Sequence, residues 1–215
     1  MIDSFTRSIL LSFELFRLAV SGAAGEIFPR SNTFELLSLT RRFDAQSYAA
    51  RRALMATVAA QVEVTRIQLP DADVSRFDLL GSQVSHAALE LAAQHKLLSQ
   101  HGYQIATGDL VRARSVPASF IRCSDSSGRR WDPASYIRTV TRDCIYQATI
   151  DQQIADVGRV SDIGRVVYPD AGHEGHGLRF SISGKDRRYP ALADIRGRIF
   201  HVNATAQVRS DVSPE

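Results

Sequence analysis

Apolar residues recur every three or four positions across residues 8–20, placing Ile9, Phe13, Phe16 and Val20 on one helical face. This predicts an amphipathic helix that packs against the rest of the chain or against a partner. Glu14 and Arg17 interrupt the apolar run over residues 9–20, which is shorter than a bilayer span requires, so no membrane is expected. Ser21-Gly22-Ala23-Ala24 faintly resembles a signal-cleavage region, but Asp3 and those interruptions argue against export. A break follows over residues 22–29, then a short helix over 34–39. A longer helix begins near Asp44, with Tyr48, Met55, Val58 and Val62 at helical spacing, and Pro70 ends it. Residues 71–78 read as a turn-rich connector. Ser82 or Ser85 can cap a further helix through Leu98, with Ala88, Leu91 and Leu98 inward and Gly102 just past its end.

The period is lost over residues 103–122, which read as extended pieces, and residues 124–130 form a polar turn. Asp132 is then an N-cap with Pro133 at the first helical position, where a missing N–H costs nothing. The helix it starts runs to about Val157 and stops at Gly158, with Ile137, Val140, Cys144, Ala148 and Ile154 near one face. Strands are expected over 164–168 and 178–183, joined by a loop with His173 and His176, and a last short strand over 206–209. The stretch after Tyr189-Pro190 reads as irregular up to that strand. The fold class is α+β: a helical region (1–102), an extended connector (103–124), and a small domain (125–215) with one long helix and a short antiparallel sheet.

At 215 residues and 44% hydrophobic, the chain buries enough surface to fold without disulfides or metal. Its two cysteines exclude a disulfide framework and a four-cysteine zinc site. All 26 basic residues but Lys96 and Lys185 are arginine, whose planar fork suits phosphate. They are scattered among 23 acidic residues, however, and only residues 185–198 are locally basic.

Chemistry-bearing groupings are few. His173, Glu174 and His176, with His201 as a third histidine, could hold a metal. Their spacing is not that of a zinc-protease helix, and the surrounding glycines fit a solvated turn better. Cys144 sits inside a helix as a small apolar residue, and Cys123, beside a polar run, can be exposed. No phosphate-cradling glycine loop or nucleophile elbow is present in the sequence, so residue chemistry gives no support for an enzyme and implies no cofactor.

An ordered series of short pieces stands out over residues 127–208. It reads Gly128-Arg129-Arg130-Trp131, then Tyr136-Ile137-Arg138-Thr139-Val140-Thr141-Arg142, then the histidine loop. Phe180-Ser181-Ile182-Ser183-Gly184, Tyr189-Pro190-Ala191-Leu192 and Phe200-His201-Val202-Asn203 complete it. The series resembles the tailed-phage minor capsid proteins, the Mu-F-like head morphogenesis family. The chain departs from the family pattern at Val202 and Ala204, where proline and cysteine are usual, and it lacks the loop cysteine.

The resemblance implies a structural minor head protein of the virion, made in the host cytoplasm and associated with the portal or the capsid interior. It would contribute to head assembly or DNA packaging, touching the portal or major capsid protein and, without sequence preference, packaged DNA. Trp131, Tyr136, Arg138, Arg142, Ser181, Gly184, Tyr189, Pro190, His201 and Asn203 would then hold shape. Trp131 can pack on the first helical turn near Tyr136, and Arg138 and Arg142, four apart, can pair with Asp162 or the loop carboxylates. Gly184 permits a turn, and His201 and Asn203 can bond backbone carbonyls. Two alternatives are weighed against this: a phosphate-binding surface of Arg138, Arg142 and His201, and a metal-dependent nuclease or toxin-like enzyme built on the His173/His176 loop.

Overall fold

Five helices and three small strand groups make up the computed structural model, which describes residues 2–28, 36–101, 104–106, 115–201 and 205–211. The order is α1 (Ile2–Ile27), α2 (Leu36–Gln68), α3 (Val74–Gln100), β1 (Gln104–Ala106), β2 (Ser115–Pro117), β3 (Cys123–Ser124) and β4 (Arg130–Trp131). There follow α4 (Pro133–Gly158), β5 (Ile163–Val167), β6 (Arg179–Ser181), α5 (Leu192–Ile199) and β7 (Gln207–Ser210). The chain is α+β. Its two compact units interleave along the sequence: Asp3–Val62 with Leu79–Thr141, and Glu63–Asp78 with Arg142–Glu215.

In the first unit, α1 buries Phe5, Ile9, Phe13, Phe16 and Val20, the face that the spacing predicted. The helix does not stop at Gly22, as expected, but runs through both glycines to Ile27. Ala23, Ala24 and Ile27 are buried there, and their packing outweighs the weak helix propensity of Gly22 and Gly25. The full helix is also long and apolar enough to cross a membrane, unlike the shorter run seen in sequence, yet its phenylalanine face is turned into the protein.

The two helices expected over 34–39 and from Asp44 are one helix, α2, beginning at Leu36. Its buried positions are Phe43, Ser47, Leu54, Val58 and Thr65, while Tyr48 is exposed. Lys96 Nζ bonds both Asp44 carboxylate oxygens at 2.9 Å, and Gln100 donates to Thr40 Oγ1 at 2.9 Å, fixing α2 and α3 antiparallel. Helix α3 starts at Val74, eight residues before Ser82, because Asp73 Oδ1 accepts the Ser75 N–H at 3.0 Å and caps it. Strands β1 and β2 pair in parallel, Gln104 with Ser115. Strands β3 and β4 form a short hairpin with Cys123 opposite Trp131.

Helix α4 begins as read: Asp132 Oδ2 accepts the Ser135 N–H at 3.0 Å and Pro133 occupies its first position. In the second unit its Tyr146, Ile150, Ile154 and Val157 share a core with Val166, Tyr168, Phe180 and Val208 of the sheet region and Leu192 and Ile195 of α5. Each large aliphatic or aromatic side chain buried there contributes about 1.5–3 kcal/mol. The sheet is antiparallel in the order β6-β5-β7, with Val166 facing Val208 and Gly164 facing Phe180. Helix α5 occupies a stretch expected to be irregular. Leu192 and Ile195 anchor it, with Asp194 in its first turn and Arg196 and Arg198 in its last, the charge order a helix dipole favours.

Candidate functional site

The β5–β6 connection carries the histidines. Gly175 and Gly177 hold left-handed φ values of 94° and 81°, and Gly177 N–H returns to Val166 O at 2.8 Å. That closure sets Tyr168 against both imidazoles. Tyr168 N–H donates to His176 Nδ1 at 3.2 Å, and the His173 ring stacks on the Tyr168 ring with centroids 3.8 Å apart. His173 Nδ1 donates to Glu174 O at 2.6 Å. A neutral imidazole has one lone pair, and that of His176 is already engaged by the backbone. Among the described residues no three His, Cys, Asp or Glu side chains gather as a metal site, so His173, His176, Glu174 and the exposed His201 are not brought together as a ligand set.

The other singled-out residues fall on turns. Asp125 collects the Ser127 and Arg129 backbone N–H groups at 2.9 and 3.0 Å and the Trp131 indole N–H at 2.9 Å. These bonds, with Ser127 Oγ the foremost, hold its carboxyl well below the usual carboxylate range. Gly128 completes the turn at φ 79°. Trp131 meets Tyr136 with ring centroids 6.4 Å apart, and burial pushes the Tyr136 phenol up.

Arg138 and Arg142 are both exposed. The expected partner, Asp162, instead accepts Ser181 Oγ–H at 2.7 Å and Ser183 N–H at 2.8 Å, which lower its pKa. Gly184 turns at φ 70° with the Ala191 Cβ 3.3 Å from where its own would be. Ser181 N–H bonds Pro190 O at 3.0 Å, and Arg188 lies over the Tyr189 ring at 5.7 Å. Asn203 lies outside the described residues. Cys123 is fully buried rather than exposed, and burial pushes both its thiol and that of Cys144 up to about 12.

Two features went unremarked in the sequence. One is a cavity of about 240 Å³ in the first unit, lined by Glu14, Arg17, Ser21, His95, Ser119 and Asp132 among others. His95 is only 3% exposed, and its Nδ1 has no partner among the described residues. Burial, then the Arg17 charge, pushes its pKa down to about 4, so the ring is neutral. Arg17 is paired with Glu14 at 2.8 Å, and Asp132 adds a second carboxylate, a lining unsuited to an anion. The other is the outer face of α1, where Leu11, Leu15 and Leu18 are 60%, 68% and 56% exposed. No family model matches this chain, and no curated protein or solved structure matches it either.

Proposed function

We propose that the chain is a structural minor head protein of a tailed phage or phage-like particle, associated with the portal or capsid interior and contributing to head assembly or DNA packaging. The observation that carries this reading is the use made of the resembling pieces. Trp131, Ser181 and Pro190 each fix a turn through bonds to backbone or to a neighbouring carboxylate, and Gly184 turns at φ 70°. The loop histidines are engaged by Tyr168 and Glu174 O. Such an arrangement preserves a shape for docking and supplies no nucleophile–base pair.

Docking to the portal or major capsid protein uses exposed apolar helix positions, such as Leu11, Leu15 and Leu18 on one face of α1. Exposed Lys185, Arg187 and Arg198 let packaged DNA pass close without reading its sequence. No cofactor and no membrane enter this role. Co-expression with the portal protein of the same particle tests it: the two are expected to co-elute. Elution of the chain alone with stoichiometric zinc or manganese, lost in a His173→Ala, His176→Ala variant, overturns it.

A further inference from the structure

We propose that the outer face of the sheet β6-β5-β7 binds the phosphodiester backbone of nucleic acid through a row of three arginines, Arg179, Arg165 and Arg209. In the antiparallel register Arg165 stands opposite Arg179 on one side and opposite Arg209 on the other. Side chains alternate along a strand, and the adjoining Val166, Phe180 and Val208 are buried in the core. All three arginines therefore project from the opposite face. Arg179 and Arg209 are exposed, and Arg165, on the central strand, is half-buried.

Nothing within the chain calls for such a row. Like charges directly opposite one another weaken a sheet. Among the described residues only Arg179 of the three has an ion-pair partner, Asp211 at 2.9 Å. Arg165 Nε bonds nothing among the described residues. Two positive charges are thus left side by side on β5 and β7, a cost that an anion laid across them removes.

The geometry also selects the anion. A strand spacing of about 4.8 Å sets the three side chains along a line of about 10 Å across the sheet. A nucleic-acid strand offers phosphates in series along such a line, whereas a single small anion engages one or two of the arginines. The guanidinium fork takes phosphate oxygens in pairs. Contacts made to phosphate alone carry no base preference. The inference stands without the head-protein reading, because affinity for DNA is measured on the isolated chain and co-elution with a portal protein is a separate result.

Fluorescence anisotropy of a short labelled DNA duplex of mixed sequence with the full chain, followed as sodium chloride rises, tests it. Arg209→Gln is expected to weaken binding about tenfold at low salt and to reduce the slope of log affinity against log salt by about 1. Arg209→Glu sets a carboxylate opposite Arg165, so it abolishes binding and raises the thermal midpoint. Arg52→Gln, at an exposed arginine of α2, leaves the affinity unchanged. A wild type that does not bind the duplex at low salt overturns the proposal, as does binding indifferent to Arg209→Glu or weakened equally by Arg52→Gln. A thermal midpoint that falls in Arg209→Glu assigns this arginine to the fold and overturns it too. Flotation with phosphatidylserine vesicles in place of DNA binding, lost in Arg209→Glu, assigns the face to anionic lipid and equally overturns it.

Discussion

Gln94 binds Arg122 as a neighbouring strand would: its Nε2 donates to the Arg122 carbonyl at 2.6 Å, and its Oε1 accepts the Arg122 N–H at 3.0 Å. One helical turn earlier, Glu90 accepts the Ser124 N–H and Oγ–H at 2.7 and 2.9 Å. A two-residue strand with one ladder partner thus gains its second edge from side chains of α3. Gln94→Ala leaves a part-buried N–H and carbonyl without their partner, so it is expected to cost about 1–3 kcal/mol. A urea midpoint that falls with unchanged slope is the expected readout, and an unchanged midpoint denies the clamp its role.

Gly164 faces Phe180 across β5 and β6, and a Cβ at Gly164 would stand 2.6 Å from the ring. Phe180 is fully buried in the core beside Phe200, with ring centroids 6.1 Å apart, so the ring has little room to move aside. Gly164→Ala is expected to destabilise by about 1–3 kcal/mol, the usual cost of overpacking. Phe180→Leu in the same background should recover part of the loss. Two additive losses in thermal melts count against the steric account.

Acid should act through His95. Folding lowers its pKa from 6.5 to about 4, so between those values the unfolded chain binds the extra proton. Stability is therefore unaffected by this group above pH 7 and falls as pH drops through the window, by about 3 kcal/mol in all. His95→Leu should flatten that part of the pH profile. Parallel profiles for the two proteins contradict the assignment.

Both thiols are shut away. Cys123 is 0% exposed and Cys144 7%, and burial pushes each to about 12. A disulfide reagent at pH 8 is expected to leave both unmodified in the native protein and to label both in denaturant. Rapid native labelling of Cys123 counts against its buried place in β3.

What the sequence made legible was local. The Asp132 cap, Pro133 and the stop at Gly158 bound α4 because capping needs only residues within one turn. The β-branched run over 164–168 and the short stretch over 206–209 marked two strands of the sheet, β5 and β7. Features decided by distant partners stayed hidden. Gly22 and Gly25 read as a break because their local cost is visible and the packing of Ala23, Ala24 and Ile27 is not. At eight residues, α5 is too short to show a period. The roles of His173 and His176 depend on the hairpin that brings Tyr168 to them. His95 carried one cue, its place four residues after buried Leu91 on the inward face of α3.

The measurement that bears most directly on the head-protein reading is the location of this chain in intact particles, by imaging and cross-linking. The account predicts a few copies at the portal vertex or inner capsid surface, joined to a portal or capsid subunit. Particles that assemble and package DNA without the chain, while the isolated chain cleaves nucleic acid in a metal-dependent way, would contradict it.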